Sequence, residues 1–260
     1  LMMHVDQVAQ KGEGKVIAVI DTGVDMTHPA FTGELAGTPP LTPQKVAAMT
    51  SQLGEGKTGV YVSQKFPFAY DYADGDNDAM PAKGSYGSHG THVAGIAAGN
   101  ADQIVGVAPE AQIIVAKVSR DGSRAISDSA LLAALDDMVL LRPDVINLSL
   151  GWTAGMDNEA DSVYATVYKK LQEVGITVDA ASGNAFSAGY GNTSGRNLPY
   201  ASDPDSSVLA EPASYSSVVA VASLNNRLTL NVLKAAGRDI AYQRARGANG
   251  EKIAELTELN

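Results

Sequence analysis

Apolar residues along this chain gather into short dense runs separated by glycine-rich and polar joints. Lys15-Val16-Ile17-Ala18-Val19-Ile20 is continuous and rich in β-branched residues, and it ends abruptly at Asp21-Thr22-Gly23. A run without polar alternation predicts a strand covered on both faces, as in a parallel sheet. Ile113-Ile114-Val115-Ala116-Lys117-Val118 repeats the pattern after the turn Gly106-Val107-Ala108-Pro109, and Asp144 to Ser149 and Thr177 to Ala181 are shorter versions of it. Between these runs the period changes. Ile126, Ala130, Leu131, Ala134, Leu135, Met138 and Leu141 fall on one helical face, with Ser127 placed as N-cap and Pro143 beyond the end, and a second helix is predicted over 159–174. Strand, helix and strand with short joints predict right-handed parallel crossovers, hence an α/β fold with a parallel sheet and helices on both faces. A weaker helical pattern covers 44–53, an aromatic strand 66–72, a buried strand 212–223, and a surface loop 190–209.

Composition narrows the function classes. With 260 residues, 45% hydrophobic and 18% charged, the chain can bury one sizeable core. A formal charge of −10 without a basic run argues against a nucleic-acid partner, because phosphate binding needs clustered Lys and Arg. Cysteine is absent, which excludes disulfides and thiolate metal sites. No apolar run is long enough for a membrane span, so no membrane insertion by this chain is expected, and Leu1-Met2-Met3-His4 reads as an internal start.

Three stretches carry candidate chemistry. Gly87-Ser88-His89-Gly90-Thr91-His92-Val93-Ala94-Gly95 places a histidine where a loop becomes a helix of small residues that can pack closely. Imidazole can take and return a proton near neutral pH. A histidine in that position is more often a cap or a surface residue, so the neighbours decide. Asp21 stands at the carboxyl end of the predicted central strand, at the rim where open α/β sheets bind ligands, and is placed to orient His89. Ala181-Ser182-Gly183-Asn184 ends another strand in small residues and an amide able to donate to developing negative charge.

Taken together, and in the chain order Asp21, His89, Asn184, these stretches resemble the subtilisin-like serine proteases. The resemblance implies that His89 is the general base, that Asp21 orients it and that Asn184 serves the oxyanion. It also implies that Ser149-Leu150-Gly151 and Ala181-Ser182-Gly183 form facing walls for the substrate residue before the scissile bond. His28-Pro29 continues the likeness, with His28 expected to stabilise its loop. The order of a long connection over 34–63, an aromatic Tyr70-Asp71-Tyr72 strand, an acidic loop and the histidine helix is similar to the cell-envelope proteinases of Gram-positive bacteria. Such a protein acts on a protein or peptide substrate, is secreted or anchored to the cell wall, and needs no cofactor for its chemistry. Asp74-Gly75-Asp76-Asn77-Asp78 could hold a structural calcium ion, although a solvated acidic turn has the same composition.

One element of the pattern is missing. The family's nucleophile lies in Gly-Thr-Ser-Met-Ala-Xaa-Pro, and no such string occurs; Gly191-Asn192-Thr193-Ser194-Gly195 lacks the continuation. The expected organisation is therefore the amino-terminal part of a subtilisin-like catalytic domain over 1–224, incomplete at its carboxyl end. Residues 225–260 are then the start of an inserted protease-associated-like domain or a linker, and a carboxyl-terminal fragment or remainder is the expected partner. Two other readings compete: a catalytically inactive module that only binds substrate, and a metal hydrolase using Asp21, His89 and His92.

Overall fold

The computed structural model describes residues 5–54, 57–83, 87–123, 125–152, 162–183 and 209–222. Strand β1 (Val16–Asp21) lies within a six-stranded sheet whose order is β2-β5-β1-β6-β7-β8. The others are β2 (Phe68–Asp71), β5 (Gln112–Lys117), β6 (Val145–Leu148), β7 (Thr177–Ala181) and β8 (Val219–Val221), and every pairing is parallel. All six therefore end on one rim, where Asp71, Lys117 and Asp21 stand in register across three neighbouring strands. A two-stranded antiparallel hairpin, β3 (Asn100–Ala101) and β4 (Ile104–Val105), stands apart.

Helices cover the sheet on both sides. On one face α1 (Pro43–Thr50), α3 (Asp128–Leu141) and α4 (Val163–Glu173) bury Val46, Leu131, Leu135, Met138, Tyr168 and Leu171 in one cluster with Ile20, Ile114, Ile146 and Val178. Each of these helices begins at a side-chain cap, from Thr42, Ser127 and Ser162 respectively, which satisfies an otherwise orphaned amide. The helix expected over 159–174 starts at Val163, and residues 153–161 lie outside the described set. On the opposite face α2 (His89–Ala98) packs Ala94 and Ala98 against Val19, Ile113 and Val115. Its small residues let the helix sit close to the strands.

Among the described residues that second face is only half covered. Every residue of β2 and β5 is buried, but in β6 and β7 burial alternates: Ile146, Leu148, Val178 and Ala180 are buried while Asn147 and Asp179 are half-exposed and Thr177 is exposed. The buried strand expected over 212–223 is corrected here: among the described residues of that span only Val219–Val221 pairs as a strand, and Val219 and Val221 are 50% and 52% exposed. Their β-branched side chains suit a covered strand, yet both are left half exposed. Residues 212–218 instead form turns that bury Ala213 and Tyr215.

Candidate functional site

The site is made where β1 stops. Its apolar run ends on Asp21, and Gly23 turns the chain away with φ +94; a Cβ there would lie 2.8 Å from the Ala79 carbonyl. Helix α2 begins on His89, and its next residue, Gly90, lies against the strand end. A Cβ on Gly90 would stand 2.2 Å from the Gly23 carbonyl oxygen and 3.2 Å from Asp21 Oδ1. Glycine at this position lets the helix start sit directly on the strand end.

That approach brings His89 Nδ1 to 2.7 Å from Asp21 Oδ1. Asp21 is 2% exposed, while the His89 side chain is 49% exposed. The carboxylate is therefore locked inside and the imidazole opens to the surface. With Nδ1–H donating to the carboxylate, the neutral ring keeps its lone pair on Nε2, where it can accept a proton. The hydrogen bond to Asp21 raises the His89 pKa above 6.5, burial opposes that shift, and the carboxylate charge adds to it. Asp21 Oδ1 also accepts from the Thr22 amide at 2.7 Å, and Oδ2 is buried without a protein donor among the described residues.

Substrate-wall candidates stand on the same rim. Ser149, Leu150 and Gly151 follow β6, Ala181 ends β7 and leads to Ser182 and Gly183, and Leu148 is in register with Ala180, so the two segments leave neighbouring strands side by side. Asn184 lies outside the described residues, as does Ser194.

Sequence reasoning missed what joins these segments. Trp152 and Glu211 exchange backbone hydrogen bonds of 2.8 and 2.9 Å, and the Ala210 amide donates to the Ser182 carbonyl at 3.1 Å. Ala210 thereby lies against both segments, its Cβ 3.0 Å from where a Cβ on Gly183 would stand and 3.5 Å from one on Gly151. Two threonines were missed as well. Thr22 Oγ1 donates to the Gly87 carbonyl and accepts from the Gly90 amide, and Thr91 Oγ1 accepts from the Asp25 amide. A hydroxyl beside the aspartate in Asp21-Thr22-Gly23 was the available signal.

Other candidates go elsewhere. His28 Nδ1 accepts from the Ala30 amide and caps the 3-10 turn Pro29–Phe31, the loop-stabilising part expected of it. His92 faces a groove shared with Asp25, His28 and Ile96. In the acidic loop, Asp74 accepts from the Asp121 amide, Asp76 from the Asp78 amide and Asp78 from the Met80 amide. Asp71, Asp74 and Asp121 do converge, but the ammonium of Lys117 already sits on Asp71 at 2.7 Å and on Asp121. A cation would have to share that position, so these donors fit a calcium ion poorly.

A buried carboxylate orienting a half-exposed imidazole at the carboxyl rim of a parallel sheet leaves Nε2 able to exchange a proton with a bound group. The Subtilase family model matches residues 12–259. This chain belongs to the subtilase family. It is 34% identical over 224 residues to the PI-type proteinase of Lactococcus lactis subsp. cremoris, covering 83% of this chain and 12% of that protein. To the C5a peptidase of Streptococcus pyogenes serotype M3 (strain ATCC BAA-595 / MGAS315) it is 31% identical over 230 residues, covering 83% of this chain and 18% of that one. The subtilase chain thus spans less than a fifth of the length of these relatives. Among solved structures, a serine-to-alanine mutant of the protease domain of PatA matches with TM-score 0.55 at 21% identity over 84% of this chain and 61% of that one. The prenylagaramide maturation protease PagA matches with TM-score 0.51 at 22% identity over 83% and 56%. At those identities the likeness is one of fold.

Proposed function

We propose that this chain supplies the acid–base half of a secreted or cell-wall-anchored serine endopeptidase, and that a carboxyl-terminal part of the protein brings the nucleophilic serine. The observation that carries the reading is the 2.7 Å contact between a buried Asp21 and a half-exposed His89. In the proposed reaction His89 Nε2 takes the proton of the serine hydroxyl as that oxygen attacks the peptide carbonyl. Asp21 stays ionised and stabilises the imidazolium, which then gives the proton to the leaving amine. Asn184 donates to the oxyanion, an interaction made mainly in the transition state. The segments Ser149-Leu150-Gly151 and Ala181-Ser182-Gly183, with Ala210 against both, flank the substrate residue before the scissile bond. An extended peptide can use backbone donors and acceptors along walls of small residues.

Two observations support the need for a further part. No residue in the 260 has the expected nucleophile context. Among the described residues, the uncovered half of the sheet beside α2, with Val219 and Val221 exposed, is a face that a parallel sheet normally buries. Residues 225–260, which lie outside the described set, are read as the start of an inserted domain or linker leading to that part. An inactive substrate-binding module would keep the walls but has no use for a buried carboxylate holding an imidazole.

The test is turnover of a peptide substrate by the complete protein with His89→Ala, Asp21→Ala and Asn184→Ala. The first two should lose about 10⁴-fold or more in kcat, and the third roughly 10²–10³-fold with little change in KM. Activity within about tenfold of wild type for His89→Ala would reject the assignment.

A further inference from the structure

We propose that Thr22 is a positioning residue whose hydroxyl ties the strand end carrying Asp21 to the helix start carrying His89, and so sets the distance between carboxylate and imidazole. The inference rests on the catalytic reading of that pair. Its basis is an unusual helix start. Ser88, at the N-cap of α2, has αR backbone angles; its carbonyl accepts from the His92 amide, but its side chain does not cap the first-turn amides. The first-turn amide of Gly90 is taken instead by Thr22 Oγ1 at 3.1 Å, from an element 68 residues away in sequence. The same hydroxyl donates its proton to the Gly87 carbonyl at 3.2 Å, so one oxygen grips the chain on both sides of His89.

A hydroxyl is the smallest group that can donate once and accept once at the same atom. The backbone amide of Thr22 meanwhile donates to Asp21 Oδ1, the oxygen that holds His89. One residue therefore contacts the carboxylate through its main chain and the histidine segment through its side chain. Replacing Thr22 by valine keeps the shape, removes both side-chain bonds and leaves the Gly90 amide and the Gly87 carbonyl without these partners. The elements remain joined through the Thr91 to Asp25 bond and the contact of Gly90 with Gly23. Loosening of the His89–Asp21 geometry is expected, with the fold retained.

The experiment follows histidine imidazole signals by NMR through a pH titration in the complete protein, with His89 assigned by its loss in His89→Asn. Wild type and Thr22→Ser should both titrate above 6.5, whereas Thr22→Val should move back toward 6.5. In turnover, Thr22→Val should lose about 10- to 100-fold in kcat with KM nearly unchanged, and Thr22→Ser should recover most of it. Wild-type titration and kcat in Thr22→Val would overturn the inference, and so would a Thr22→Ser variant as impaired as valine, since that would mark a packing role. Should valine prevent folding, amide exchange in the wild type decides: a protected Gly90 amide supports the tie, and exchange at the rate of a free surface amide overturns it. If His89→Ala stays active the catalytic reading fails, yet the titration still reports whether Thr22 holds the pair.

Discussion

Asp21 and Lys117 are register partners on adjacent strands, yet each is satisfied by a different element: Asp21 holds His89 of α2, and Lys117 holds Asp71 and Asp121. The rim thus carries two separate charge pairs side by side, one half-open to the surface and one almost wholly buried.

The buried pair should matter for stability. Lys117 and Asp71 have side chains 2% and 1% exposed, and Asp71 also accepts from the amides of Ala73 and Asp74. Lys117→Met leaves a buried carboxylate without its cation, and such half-pairs cost about 3–5 kcal/mol. Denaturant unfolding of the variant should show a loss of that size, and a change below about 1 kcal/mol would mean that the pair is solvated as surface pairs are.

The exposed pair should govern pH dependence. Because Asp21 raises the His89 pKa above 6.5, the acid limb of kcat/KM should lie above 6.5, since only the neutral ring can accept a proton. For stability the sign is reversed. The folded protein binds the His89 proton more tightly than the unfolded chain, so this contribution is complete below 6.5 and is lost as pH rises through the raised value. Activity and this share of stability should therefore move in opposite directions across the same window. Parallel kcat/KM and Tm profiles check this, and Asp21→Asn should abolish the stability trend.

Ala210 should act on specificity. Its Cβ lies close to both Gly151 and Gly183, so Ala210→Leu places a larger side chain against the two walls. Cleavage of a peptide library should shift toward smaller residues before the scissile bond, by about 10-fold or more per methylene-scale clash. An unchanged preference would mean that the substrate residue does not enter between these segments.

The contact between Asp21 and His89 was legible because each half sits in a strong local pattern. A β-branched run that stops at Asp21 predicts a buried strand end, and a helix of small residues after His89 predicts close packing on the strands. The joining contacts were not legible, since Ala210 meets Gly151 and Gly183 only after β6, β7 and the segment before β8 have been assembled. Thr22 was hidden for the same reason: its partners Gly87 and Gly90 are distant in sequence. Burial of β8 was misread because Val219 and Val221 have the residue type of a covered strand, while burial depends on what packs over them. The pairing of Lys117 with Asp71 and Asp121 was not legible either, since Asp71 lies on a separate stretch of the chain and meets the other two only when β2 and β5 are assembled.

The central claim is that this chain furnishes the base to a serine that lies beyond its own 260 residues. It is tested most directly by treating the complete protein with a fluorophosphonate probe and locating the label by mass spectrometry. The account predicts stoichiometric labelling of one serine outside residues 1–260, suppressed by His89→Ala, and no labelling of the 260-residue chain alone. Labelling of a serine within this chain, or labelling that His89→Ala leaves undiminished, would contradict it.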